Sequence, residues 1–224
     1  MPRACPDSAH ASGTLEAADA ILAAHPEVAA GDVYVAAVLG DAGGVRRMLS
    51  DDAARATATG RPYEWDALTY LCFSQYLRLR ASDGFVGAAE ALLDAGADPN
   101  AGFYEPEHLP EPTFESALYC AAGVAQHGGL TRLLLERGAD PNLGGEVAYH
   151  SPEGFDDGAM RAVVESGRLS ADGLTTMLHR KLDWNRSRWR SVAARAWCRP
   201  ERAQRVGSSR AGSRTGPRQP ALAR

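Results

Sequence analysis

The stretch that decides the fold is Leu92–Asn100, LLDAGADPN, which returns as Leu134–Asn142, LLERGADPN. In each copy a leucine-rich segment is followed by a glycine and then by Asp-Pro-Asn. Glycine and proline directly after an apolar helical segment end the helix and begin a loop. Repetition of such a segment within a few tens of residues is typical of a stack of similar units rather than of one globular core.

Weaker copies of the same helix end extend the repeat in both directions. With the apolar residue before the helix end as a marker, the series is Leu22, Leu49, Leu92, Leu134 and Val163. A second short apolar segment precedes three of these helices, at 32–39, 66–73 and 115–122. The sequence therefore predicts units of two short helices, an inner one and an outer one.

Two short helices followed by a Gly-Ala-Asp turn resemble the ankyrin repeat. The turns at 96–100 and 138–142 carry the resemblance, which covers roughly Thr14–Trp184. In that family the inner helix opens with a Thr-Pro-Leu-His pattern, reduced here to DALT at 66–69 and SALY at 116–119. The resemblance implies an all-α helical solenoid of five to six helix pairs. It also implies a non-catalytic module that binds a protein partner through its concave face and finger loops.

Long loops between the units indicate where a partner would bind. The segment 103–114, FYEPEHLPEPTF, lengthens one such loop, and its prolines are incompatible with a helix. Insertions in repeat proteins gather on one face, often the binding face. Aromatic side chains are favoured anchors of protein interfaces. The candidate partner-binding residues are Tyr63, Trp65, Phe103, Tyr104, Glu105, Phe114 and Tyr149.

Each of these aromatic residues has an alternative role, which is to pack its loop onto the neighbouring unit. The glutamates of the long loop, Glu105, Glu107 and Glu111, are expected to make its surface acidic. An acidic surface favours a basic partner.

Charge is segregated along the chain, although the formal net charge is only −4. Residues 1–184 hold 13 Lys and Arg against 27 Asp and Glu, a net charge of −14. Residues 185–224 hold 11 Arg and one acid, Glu201, a net charge of +10. The sequence therefore predicts an acidic repeat domain at 1–184 and an Arg-rich tail at 185–224.

Three interpretations of the tail stay open. Clustered arginines neutralise phosphates, which favours binding of nucleic acid or of another acidic partner. The apolar residues of Trp189–Trp197 recur at helical spacing, which predicts a short helix at 187–199. Alternatively, the abundance of Arg, Ser, Gly, Pro and Ala is what GC-rich DNA encodes out of frame. On every interpretation we expect the end of the tail to be disordered, because it has little apolar surface to bury.

The sixth unit is incomplete. Its inner helix presents an apolar stripe of Leu174, Met177, Leu178 and Leu182, and no outer helix follows. Terminal repeats need a polar outer face. We therefore expect Trp189–Trp197 to cover this stripe.

The sequence contains no pattern that indicates catalysis. The six histidines show no metal-ligand spacing with the cysteines or with one another, and no Gly-rich segment ends in the Lys-Ser/Thr of a phosphate loop. We therefore expect no cofactor, no metal and no enzymatic activity. Four widely spaced cysteines, the lack of an apolar leader and the lack of an 18-residue apolar run predict a cytoplasmic protein without a membrane segment.

Overall fold

The structure is a computed structural model that describes residues 14–80, 83–105, 111–154 and 156–183. These residues are mostly helical. The predicted Arg-rich tail, its short helix at 187–199 and the predicted cover on the sixth unit lie outside the described residues, as does Glu107.

The first four helices are α1 (Glu16–Ala24), α2 (Pro26–Gly31), α3 (Val33–Leu39) and α4 (Ala42–Asp51). Aspartate side chains cap the N-termini of α3 and α4. Asp32 accepts a hydrogen bond from the Tyr34 N–H at the start of α3 (2.7 Å), and Asp41 accepts one from the Gly44 N–H at the start of α4 (2.9 Å). Such caps satisfy backbone donors that the first turn of a helix leaves unpaired.

The second half of the described chain continues the helical pattern. Helices α5 (Ala67–Cys72), α6 (Gln75–Leu79) and α7 (Asp83–Asp94) are followed by α8 (Ala117–Tyr119), which continues as a π turn over Cys120–Val124. The next helices are α9 (Gly128–Glu136), α10 (Glu146–His150) and α11 (Gly158–Glu165). Short 3-10 turns lie at Ala53–Ala56 and Ser151–Glu153. Residues 171–183 form α12.

Two antiparallel hairpins depart from a strictly all-α fold. The first hairpin pairs β1 (Thr59–Gly60) with β2 (Trp65–Asp66), and the second pairs β3 (Gly102–Glu105) with β4 (Thr113–Ser116). They occupy two of the loops that connect one unit to the next. Pairing the two arms of each loop satisfies backbone groups that an unpaired loop would leave to solvent.

The helices pack in two rows that follow chain order. The inner helix α3 packs on α5, α5 on α8 and α8 on α10, while the outer helix α4 packs on α7, α7 on α9 and α9 on α11. Alanines such as Ala36, Ala88 and Ala121 are fully buried at these contacts, and their small side chains let the helices approach closely.

Three of the five marker residues, Leu92, Leu134 and Val163, are fully buried. In α4 the buried residue is the one before the marker. Met48 is buried there, whereas Leu49 is only half-buried. Met48 lies three residues after the fully buried Val45, on the same face of the helix.

The asparagine of each repeated turn connects that turn to the next one. Asn100 Oδ1 accepts a hydrogen bond from the Asp140 N–H (2.7 Å), and Asn142 Oδ1 accepts one from the Ser170 N–H (2.8 Å). Gly96 and Gly138 have φ of 99° and 103°, a backbone conformation that favours glycine. The GADPN motif therefore both ends an outer helix and fixes the spacing to the following unit.

Candidate functional site

A row of aromatic side chains crosses the described units from α3 to α10. We define this aromatic row by ring contacts whose centroids lie 4.4–6.5 Å apart. Its members, in order of contact, are Tyr34, Tyr70, Tyr63, Trp65, Phe103, Phe73, Tyr119, His150 and Tyr149. Four of the seven predicted binding residues belong to it.

Trp65 joins the two hairpins. Its ring stacks with Phe103 of the second hairpin at a centroid distance of 4.4 Å and with Tyr63 of its own hairpin at 4.7 Å. Phe73, just after α5, contacts Phe103 edge-on at 5.0 Å. Trp65 and Phe103 are half-buried. Their contacts correspond to the alternative role, in which an aromatic residue packs its loop onto a neighbouring unit.

Three of the predicted residues present their rings to solvent. Tyr63 is 62% exposed, Tyr104 is 67% exposed and Tyr149 is 42% exposed. Tyr104 lies opposite the half-buried Phe114 in the second hairpin, with the rings edge-to-face at 5.1 Å. The hairpins therefore hold large aromatic surfaces in fixed positions without burying them.

The acidic character expected of the second hairpin needs one correction. Glu105 is only 4% exposed, so its charge does not lie on the surface. Side chains alternate between the two faces of a strand, and Tyr104 takes the outward position next to it. Of the other two glutamates, Glu111 is exposed and Glu107 lies outside the described residues.

Tyr70 of α5 holds the first hairpin in place. Its hydroxyl donates a hydrogen bond to the Gly60 carbonyl (2.9 Å) and accepts one from the Tyr63 N–H (2.9 Å). Asp66, the first residue of DALT, caps α5 by accepting hydrogen bonds from the N–H (2.8 Å) and the hydroxyl (3.1 Å) of Thr69. The position of Tyr63 is therefore set by a helix and not by the loop alone.

At the other end of the row, His150 lies between two carboxylates. Its Nε2 is 3.1 Å from Glu146 and its Nδ1 is 3.0 Å from Glu153. Burial lowers the pKa of His150, but hydrogen bonds to these two carboxylates outweigh burial, and the pKa is raised above its ordinary value. Arg180 of α12 also binds Glu153, and its guanidinium lies 4.1 Å from the centroid of the Tyr149 ring.

Tyr34, Tyr70, Phe73, Tyr119 and His150 were not predicted as part of the site. A signal for three of them exists in the sequence, because the predicted inner segments at 32–39, 66–73 and 115–122 each carry one tyrosine. These tyrosines are Tyr34, Tyr70 and Tyr119. Their neighbourhood in space depends on the stacking of the inner helices, which a single sequence does not reveal.

The described residues contain no group of three or more His, Cys, Asp or Glu side chains placed to hold a metal ion. Cys72 and Cys120 are free and buried, and burial raises the pKa of both thiols, which keeps them protonated. The Cys120 thiol donates to the Cys72 carbonyl at 2.8 Å. Over the same residues, no helix is long and apolar enough to cross a membrane.

Comparison with known families supports the resemblance. The family model of the ankyrin repeat matches residues 115–145, which span α8, α9 and the second GADPN turn. No match to the chain was found among the curated proteins or among the solved structures. Ankyrin repeats are generally protein–protein interaction modules.

Proposed function

Starting from the ankyrin repeat at residues 115–145, we propose that this ankyrin-repeat protein is a non-catalytic protein-binding module. In this proposal its five to six helix pairs form one solenoid, and a partner binds to the concave face and the two hairpins. The observation that carries the proposal is the exposure of Tyr63 and Tyr104 on hairpins that Trp65 and Phe103 join.

The packing of the helices supports the solenoid. From α3 to α10 each inner helix contacts the inner helix of the next unit, and from α4 to α11 each outer helix contacts the next outer helix. In repeat proteins, contacts between neighbouring units produce an extended concave surface. The aromatic row follows the inner helices and the hairpins, which in the proposed solenoid border the concave surface.

The exposed rings favour binding over a purely structural role. A tyrosine buries a large area at little cost in rotamer entropy, which makes it an effective interface residue. Tyr104 and Tyr63 are both more than half exposed, so packing within the chain uses only part of each ring.

Because Cys72 and Cys120 are free thiols, we propose that the protein works in the reducing cytoplasm.

Site-specific photo-crosslinking tests the proposal. A photoreactive benzoylphenylalanine replaces Tyr104 in the full chain, and a control carries it at Arg132, an exposed position on the outer helix α9. In an extract of the native cells, we expect a protein adduct from position 104 and none from position 132. Equal adducts from both positions, or no adduct from position 104, would contradict the proposal.

The charge of residues 185–224 favours a second candidate, binding of nucleic acid or another acidic partner through the Arg-rich tail. Such binding depends steeply on salt concentration. Salt-dependent binding that is lost when residues 185–224 are deleted would favour this candidate. Binding that survives the deletion and is lost in Tyr104→Ala would favour the protein-binding module.

A further inference from the structure

The hydroxyl group of Tyr70 connects the first hairpin to helix α5 at two points. It donates a hydrogen bond to the Gly60 carbonyl and accepts one from the Tyr63 N–H, both at 2.9 Å. Gly60 is the last residue of β1, and Tyr63 lies in the turn that leads to β2. One phenol oxygen therefore fixes both ends of segment 60–63, which carries the exposed ring of Tyr63.

The two strands of this hairpin are too short to hold the turn by themselves. Each strand is two residues long, with Thr59 opposite Asp66 and Gly60 opposite Trp65. An isolated two-stranded hairpin is marginally stable at best in water. A stable position of the turn therefore requires contacts with the helices.

Helix α3 supports the hairpin at the same point. The Tyr34 ring lies so close to Gly60 that a Cβ atom at residue 60 would be 2.3 Å from its Cε2. Tyr34 also contacts the Tyr70 ring edge-on, with the centroids 5.6 Å apart. Two inner helices thus meet at Gly60, and a residue without a Cβ lets the strand approach them.

The Tyr70 side chain is in the right state to make both hydrogen bonds. It is 7% exposed, and burial raises the pKa of its hydroxyl. The hydroxyl therefore keeps its proton at neutral pH and donates it to Gly60. The Tyr70 ring also contacts the rings of Tyr63 at 6.3 Å and Trp65 at 5.3 Å, and a phenylalanine would keep both contacts.

We propose that Tyr70 is a positioning residue of the binding surface, whose hydroxyl holds Tyr63 in its binding position before the partner binds. The inference rests on the proposed function. Because Tyr70 is buried, it acts through Tyr63 and not through a contact of its own with the partner. Ordering the turn in advance removes an entropic cost of association. A protein whose binding-competent state is only partly populated binds more weakly in proportion to that population.

The kinetics of peptide binding test the proposal in Tyr70→Phe, which removes only the hydroxyl oxygen. The probe is a peptide selected from a random display library against the full chain, chosen because its affinity falls in Tyr63→Ala. The matched control is Tyr76→Phe. Tyr76 is 9% exposed, and its hydroxyl donates to Asp19 of α1 at 2.8 Å, so the control loses a hydrogen bond between α6 and α1.

Tyr70→Phe should fold, because the groups that lose their partner can reach water. Tyr63 is 62% exposed and Gly60 is half-buried, and a bridging water is nearly as favourable as a direct hydrogen bond. Circular dichroism and urea denaturation check the fold of each variant. Without peptide, hydrogen exchange of the Tyr63 N–H should be faster in Tyr70→Phe and unchanged in Tyr76→Phe.

We expect the affinity for the peptide to fall about two- to ten-fold in Tyr70→Phe, the range of one hydrogen bond, and to stay unchanged in Tyr76→Phe. The loss should lie in the association rate constant, because fewer molecules have an ordered turn. Loss of a direct contact would instead raise the dissociation rate constant. In the Tyr63→Ala background, Tyr70→Phe should change the affinity by less than about two-fold, because it acts through Tyr63.

The other outcomes are distinguishable. An unchanged association rate constant in Tyr70→Phe overturns the inference and leaves Tyr63 as a binding residue. An equal loss of affinity in Tyr76→Phe, or loss of the fold in Tyr70→Phe, also overturns it, because the hydroxyl would then serve general stability. An undiminished loss in the Tyr63→Ala background overturns it as well. If no recovered peptide depends on Tyr63, the inference is wrong, while crosslinking at position 104 decides the proposed function independently.

Discussion

The outer helices and the hairpins use large side chains in opposite ways. Leu134 of α9 is fully buried between its neighbours, whereas Tyr104 of the second hairpin is 67% exposed. The same chain thus packs leucines where units meet and presents tyrosines where the loops project. The comparison teaches that stability is concentrated in the contacts between units, while the hairpins contribute surface that the fold does not need to bury.

The largest expected effect is on the outer row. Leu134→Ala should lower the free energy of unfolding by about 2–5 kcal/mol, because it removes buried methyl groups and leaves a cavity. The matched control is Leu178→Ala in α12, where the leucine is 58% exposed and the change should stay within about 0.5 kcal/mol. Urea denaturation measures both. Equal losses of unfolding free energy in the two variants would mean that the difference in burial between Leu134 and Leu178 does not determine the cost of the substitution.

The junction of the hairpins should rank second. Trp65→Ala should cost about 2–3 kcal/mol, less than the ~3–5 kcal/mol typical of a fully buried ring, because Trp65 is half-buried. Tyr63→Ala on the same hairpin should cost less than about 1 kcal/mol. Thermal unfolding of the two variants measures the difference. If Tyr63→Ala proved as destabilising as Trp65→Ala, the exposed ring would be a structural residue and the binding proposal would be weakened.

The connection between turns should have a smaller effect. Asn142→Ala removes the hydrogen bonds to the Ser170 N–H and to the Arg168 carbonyl. A typical net loss is about 0.5–1.5 kcal/mol for each hydrogen bond in a protein. Native-state hydrogen exchange should show reduced protection in residues 171–183, with protection in α4 unchanged. Reduced protection throughout the chain would instead indicate that the turn stabilises the whole stack.

The smallest expected effect is the pH dependence at His150. Its pKa is raised in the folded protein, so the stabilisation is fully present below the unfolded pKa, about 6.5. It is lost as the pH rises through the folded pKa, because the neutral ring no longer donates to both Glu146 and Glu153. The free energy of unfolding should fall by at most about 1 kcal/mol over this range. A His150→Gln variant should lack this decline, and an identical decline in both proteins would rule out His150 as its source.

Local chemistry made much of the helical pattern predictable. Asp32, Asp41 and Asp66 each cap a helix with their own side chain, and the glycines of the repeated turns end the outer helices. These features act within a few residues, so they can be recognised in a single sequence. Spacing alone does not show that Met48 rather than the adjacent Leu49 is buried in α4.

By itself, the sequence determined that this chain repeats a pair of short helices joined by GADPN turns, because helix ends are set by neighbouring residues. Only the tertiary structure decided that the long loops pair as hairpins, that Glu105 turns inward and that Tyr104 turns outward. It also decided that tyrosines from four inner helices belong to one aromatic row. Contacts between such distant residues depend on how the units stack, and nothing in the local sequence encodes that geometry directly.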